Sequence, residues 1–341
     1  MKRLSLFLAT LGFLNMSLGH AAEAFFSPDG KTVTMGLCGQ RMGLVQVEVA
    51  TGKITPAPLP KELADECIES IARGSEGETL FLAKDAVWVW KADAKPAVKR
   101  VCSTAPVVAA SDLFVVTQDG SPLKDILFVS GSEKEAEGRA PGLWGRKPGS
   151  KAFLPVFCRR VDGAAAGTPT ADGRFFFESD GDVWEGGIEL DEPDPSMERI
   201  GVLVGARIAP LAILNTDEGN GGGAWVSQMS VAGPWIYSAL RGRHIGAIMR
   251  SPLPAKTLHS PTTEDFPTMQ AQLAAMNTSL SGVEMILEDV ERVEGFCAIE
   301  LGGKPQLFFI SQIPDDEKGP AMQIWDGTGK PRVIGHLPAE E

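Results

Sequence analysis

One phrase recurs along this chain: an Asp-Gly turn, an apolar strand, a second turn and a second strand. Its clearest copy opens at Ser27-Pro28-Asp29-Gly30-Lys31, runs through Thr32-Val33-Thr34-Met35, and continues as Val45-Gln46-Val47-Glu48-Val49 into Thr51-Gly52-Lys53. Glycine reaches positive φ at little cost, so Asp29-Gly30 and Thr51-Gly52 are read as tight turns. Val45, Val47 and Val49 alternate to one face of the strand between them. The phrase returns at Asp172-Gly173-Arg174, followed by Phe175-Phe176-Phe177 and Asp180-Gly181-Asp182-Val183-Trp184. Repetition of one supersecondary unit is the signature of a stacked or radial architecture.

Weaker copies fall at Leu80-Phe81-Leu82 with Val87 to Trp90, at Phe114 to Val116 with Ile126 to Val129, at Trp235 to Tyr237 with Ile245 to Met249, and at Gly295 to Ile299 with Leu307 to Ile310. Their spacing is irregular but brackets the roughly 40–50 residues of a propeller blade. The expectation is all-β: a β-propeller of six or seven four-stranded blades, filling residues 23–341 as a single domain. The hairpin at Gln323 to Lys330 is expected to close the ring by pairing with an N-terminal strand, because an open ring leaves sheet edges bare. One stretch departs from the pattern. Thr262 to Pro267 carries capping residues and a proline, and Met269, Leu273 and Met276 follow at helical spacing, so a short helical insertion is predicted near residues 262–280.

With these residues in view, Phe26 to Lys31 followed by Val49-Ala50-Thr51-Gly52-Lys53 resembles the WD40-like repeat of TolB-type β-propellers, in which a Ser-Pro-Asp-Gly-basic segment opens a strand. The resemblance is good over residues 26–54, partial over 169–190 and suggestive elsewhere. It implies an architecture and says little about activity, since propellers serve as scaffolds, binders and enzymes alike.

The first residues have the three parts of an export signal. Lys2 and Arg3 precede an apolar run from Leu4 to Leu18, and small residues follow in Gly19-His20-Ala21-Ala22-Glu23-Ala24. The run is short for a membrane span, and two small-x-small pairs, Gly19-x-Ala21 and Ala22-x-Ala24, follow it at once. Residues 1–22 are therefore read as a cleaved signal peptide, with a periplasmic or secreted product and no membrane insertion afterwards. Loss of Lys2 and Arg3 would take the formal charge from −12 to −14. So acidic a surface repels phosphate backbones, which excludes nucleic acid as an expected partner. The five cysteines, Cys38, Cys67, Cys102, Cys158 and Cys297, stand singly with no CxxC pair, so zinc-ribbon and thioredoxin-like readings fail. An oxidising compartment admits one or two disulfides, whose pairing stays open.

Two clusters are candidates for chemistry. Arg241, Arg243 and His244 could grip a carboxylate or phosphate, against the plainer reading of a solvated hairpin turn. Glu178, Asp180 and Asp182 place hard oxygen ligands at alternate positions, as a calcium site would use them; a hairpin turn at Ser179 to Asp182 fits the same residues better. No other cofactor is expected. The seven tryptophans fall mostly at strand positions and are read as packing between sheets. No G-x-S-x-G elbow, P-loop or HExxH is present. The sequence thus favours an exported, non-catalytic binding module that offers a propeller mouth to a protein or small ligand. The alternative is a calcium-dependent propeller enzyme, glycosidase- or lactonase-like, whose acids converge at the ring centre from distant blades.

Overall fold

The computed structural model describes residues 21–38, 43–64, 66–133, 142–159, 165–169, 175–179, 182–190, 199–209, 225–241, 246–253, 283–313 and 318–337. The local hydrogen bonding explains why the repeated phrase folds as it does. In Ser27 to Lys31, Gly30 adopts φ +67°. The carboxylate of Asp29 accepts from the Ser27 hydroxyl at 2.7 Å and the Lys31 amide at 3.2 Å, and Ser27 Oγ accepts from the Thr32 amide at 3.0 Å. With the Ser27 amide donating to the Thr32 carbonyl and the Gly30 amide to the Ser27 carbonyl, most of the turn's hydrogen bonds close within five residues.

Twenty-four strands follow one another among the described residues, with a single 3-10 turn at Lys61–Leu63. The first sheet is β1 (Ala21–Phe26), β2 (Thr32–Leu37), β3 (Gly43–Glu48) and β4 (Ile54–Pro56). The second is β5 (Ser70–Arg73), β6 (Thr79–Ala83), β7 (Ala86–Trp90) and β8 (Val98–Ser103). Next come β9 (Val107–Val115), β10 (Leu127–Glu133), β11 (Gly142–Arg146), β12 (Leu154–Arg159), β13 (Ala165–Pro169), β14 (Phe175–Ser179), β15 (Asp182–Leu190) and β16 (Gly201–Ala209). The last two sheets are β17 (Trp225–Ala232) to β20 (Glu284–Leu287), with β18 (Trp235–Arg241) and β19 (Gly246–Pro252) between them, and β21 (Glu291–Leu301), β22 (Lys304–Gln312), β23 (Ala321–Trp325) and β24 (Arg332–His336).

The expected six or seven separate blades are corrected to five hydrogen-bonded sheets. Four are antiparallel meanders of four strands, and the fifth holds eight strands, β9 to β16. The reason is one long-range pairing: β12 runs parallel to β16, from Val156↔Gly201 to Arg159↔Val204, and joins two successive meanders at their outer strands. The strand-and-turn repeat foretold the meanders, and this fusion lies beyond its reach.

The sheets stand around an axis with β1, β5, β9, β13, β17 and β21 innermost. Each hydrophobic cluster is shared between neighbours. Leu82 and Val87 of the second sheet pack with Leu113 and Val129 of the next, and Phe309 and Trp325 of the last sheet pack with Tyr237 and Ile248. Within the eight-stranded sheet, Phe114 stacks on Phe128 and Phe175 at 5.0 and 4.4 Å. Burial of such faces against one another is what makes a radial stack stable.

Closure also differs from expectation. Among the described residues the last sheet is built from β21 to β24 and β1 hydrogen-bonds to β2, so no described strand is exchanged across the seam. Side chains close the ring instead: Phe26, Val33, Met35 and Val47 of the first sheet share one cluster with Phe308, Ile310, Met322 and Ile324 of the last. Gly52, at φ +69°, brings the β3–β4 turn so near that a Cβ there would lie 2.0 Å from the Ile334 carbonyl oxygen. A disulfide between Cys38 and Cys67 ties the end of β2 to the approach to β5, resolving a pairing the sequence left open. Cys102 and Cys297 are free, and Cys297 is buried. Trp88, Trp90, Trp144 and Trp325 are buried, as their strand positions predicted. The predicted helix near 262–280 lies outside the described residues. Among those residues no helix is long and apolar enough to cross a membrane.

Candidate functional site

The inner strands surround a cavity of about 520 Å³ on the ring axis. The inner strands around it are irregular, and two of its polar side chains, Glu23 and Gln228, sit at such places. The register of β1 slips between Ala21 and Ala24, beside Glu23; that of β9 slips where Ser111, Asp112 and Leu113 meet β10; and that of β17 slips between Val226 and Gln228. A bulge re-aims the side chain next to it. At Asp112 it also forces a positive φ of 46°, uncommon outside glycine and met most often at turns and functional sites.

Side chains of one inner strand satisfy edge amides of the next at β5, β9 and β21. Glu23 of β1 accepts the Ile71 amide of β5. Ser70 of β5 accepts the Leu113 amide of β9 at 2.8 Å. Gln228 and Ser230 of β17 accept the amides of Phe296 and Ala298 of β21 at 2.8 and 2.9 Å. In every case the earlier strand supplies the side chain and the later one the N–H. Inner strands would otherwise present unpaired backbone donors to the cavity.

Glu23 is the most perturbed acid here. Burial, and then the Asp112 carboxylate, push its pKa well above the usual carboxylate range, against hydrogen bonds from the Ser70 hydroxyl and the Ile71 amide that lower it. Burial likewise raises the thiol of Cys297, which also faces the cavity. At one mouth lies Arg73, exposed, at the end of β5. It makes no ion pair with another described residue. It belongs to two walls at once: with Phe25 it lines both the axial cavity and a cleft of about 590 Å³ between the first and second sheets, beside Thr34, Gln46 and Trp90. A guanidinium at such a junction can bind a carboxylate or phosphate through paired N–H donors.

The described residues that line this cavity include none of those singled out from sequence. Arg241 ends β18, paired with Trp225 and Gly246, while Arg243 and His244 lie outside the described residues. Glu178 is on β14 and Asp182 opens β15, with Ser179 opposite Asp182 across a two-residue connection, as the hairpin reading expected; Asp180 lies outside the described residues. Among the described residues no group of three or more His, Cys, Asp or Glu could hold a metal ion. Sequence reasoning missed Glu23, Asp112 and Arg73. The only local signal was a lone charge in a run of small or apolar residues, as in Ala21 to Phe26.

No protein-family model matches the sequence, and no curated protein sequence matches it. Solved structures do match in fold. A candidate TolB protein from Agrobacterium tumefaciens superposes with a TM-score of 0.53 at 14% identity, covering 84% of this chain and 85% of that one. A candidate gluconolactonase gives 0.53 at 10% identity over 94% and 92%. A puromycin-hydrolysing peptidase of Mycobacterium tuberculosis gives 0.50 at 12% identity, covering 94% of this chain and 45% of the peptidase. At such identities the likeness concerns architecture alone, and on that ground this chain is a β-propeller similar in fold to a TolB-type protein.

Proposed function

We propose that this protein is exported to the periplasm or the cell exterior and acts as a non-catalytic binding module. It takes a protein segment or small ligand at the channel mouth marked by Arg73. The observation that carries this reading is the meeting of two hollows at one exposed guanidinium, without an ion pair among the described residues, and one aromatic ring, Arg73 and Phe25. Ser70, Gln228 and Ser230 are already engaged with backbone amides. Arg73 is the cation that both hollows share, and its guanidinium suits an anionic ligand. The basic segment of Arg241, Arg243 and His244 offers a second place for such a group.

A second reading is supported by the approach of Glu23 and Asp112, two acids from different inner strands: a calcium-dependent enzyme, lactonase- or glycosidase-like. One experiment separates the two. Melting curves are recorded with a panel of dicarboxylates, sugar phosphates and short peptides with free C-terminal carboxylates, for the native protein and Arg73→Ala, and again with calcium and with chelator. Binding at the mouth raises Tm with anionic members only when Arg73 is present. Stabilisation that survives Arg73→Ala counts against the mouth. A calcium-dependent Tm rise accompanied by lactone or glycoside hydrolysis favours the enzyme.

A further inference from the structure

We infer that the export peptidase cuts this chain on the N-terminal side of Glu23, so that the mature protein starts at Ala22 or Glu23 and keeps the inner strand β1 working. The inference rests on the export reading above and deepens it. The two small-x-small pairs stand on either side of the boundary after Ala22 read above: Gly19-x-Ala21 gives a cut after Ala21, and Ala22-x-Ala24 gives a cut after Ala24. Sequence preference does not separate them, but their products differ in what they leave for the ring.

Strand β1 runs Ala21–Phe26, and Ala24 pairs with Met35, Phe25 with Thr34 and Phe26 with Val33. Glu23 accepts the Ser70 hydroxyl at 2.5 Å and the Ile71 amide, and through Ser70 it is linked to the Leu113 amide. A cut after Ala24 removes this carboxylate and four of the six residues of the strand. The Ile71 amide then loses its acceptor at the axis. The new α-ammonium would stand on Phe25, which packs on the apolar cluster of Leu44, Ile71 and Phe81; placing a charge there is unfavourable. A cut after Ala21 or Ala22 leaves all of these contacts intact. Cleavage precedes folding, so the fold does not direct the peptidase; it requires a product that retains Glu23.

The test is intact-mass measurement and N-terminal sequencing of protein exported from a bacterial host under its own signal. The expected first residue is Ala22 or Glu23. A chain starting at Phe25 overturns the inference and leaves export standing, whereas a chain that retains Met1 overturns the export reading itself. A second measurement uses proteins released from a removable tag so that they begin at Ala22 or at Phe25. The Phe25 form is expected to melt at least about 3 °C lower, the size of shift that ~2 kcal/mol produces in a domain of roughly 320 residues; equal melting temperatures overturn the inference.

Discussion

Ser70 donates its hydroxyl hydrogen to the Glu23 carboxylate at 2.5 Å while its oxygen accepts the Leu113 amide at 2.8 Å. One side chain, 1% exposed, therefore joins three inner strands that share no ladder hydrogen bonds with one another. The geometry accounts for how separate sheets can stand side by side around a cavity without leaving their inner edges unpaired.

Ser70→Ala removes the donor to Glu23 and the acceptor for Leu113 together. A loss of about 1–3 kcal/mol is expected, the range for a buried group left without its partner. Urea unfolding measures it, with Ser103→Ala, on the outer strand β8, as the comparison that should stay within about 0.5 kcal/mol.

Glu23 carries a pH dependence whose sign follows from its environment. Its folded pKa is raised, so the folded state holds the proton more tightly than the unfolded chain. Stability from this group is greatest at low pH and falls as pH rises from the unfolded value of roughly 4.3 through the raised folded value. Glu23→Gln keeps an acceptor for Ser70 and Ile71 and removes the charge. It should melt above the native protein at pH 7.5, with the difference closing near pH 4. A difference of equal size at both pH values contradicts the assignment.

Gly52 tests the seam between the first and last sheets. Its φ is +69°, its amide donates to the Glu48 carbonyl at 2.8 Å, and a Cβ would collide with the Ile334 carbonyl. Gly52→Ala is expected to destabilise by more than the ~1–2 kcal/mol of the left-handed backbone alone. Gly77, at φ +82° with open space around it, isolates that backbone effect, so Gly77→Ala should be the milder change.

The Cys38–Cys67 disulfide spans 29 residues and fastens the first sheet to the second. Replacing both cysteines with serine should lower stability by about 2–4 kcal/mol. Dithiothreitol should lower the Tm of the native protein and leave the double variant unchanged.

The turns were legible because their hydrogen bonds close within a few residues, as Ser27, Asp29 and Lys31 demonstrate. The strands were legible because burial alternates or runs continuously along them, as at Phe175 to Phe177, all at most 1% exposed. The sheet count was not, because it turns on the β12–β16 pairing between segments some 45 residues apart, which no local pattern encodes. Ring closure was misread for a related reason: side-chain packing at Phe26 and Met322 substitutes for strand exchange, and the two look alike in sequence. The axial site was hidden because Glu23, Arg73 and Asp112 come from three inner strands with no fixed spacing. Glu23 also lies in the region that reads as a cleavage signal.

The claim on which the channel and its mouth both depend is that the first and last sheets meet. Spin labels at Thr51 and Val333, both exposed, in a background with the unpaired cysteines replaced, report that contact directly by pulsed electron resonance. A closed ring predicts one narrow distance distribution at about 20 Å or less, given that the Gly52 turn touches Ile334. A broad distribution, or one centred well beyond 30 Å, would mean that the sheets do not form a ring.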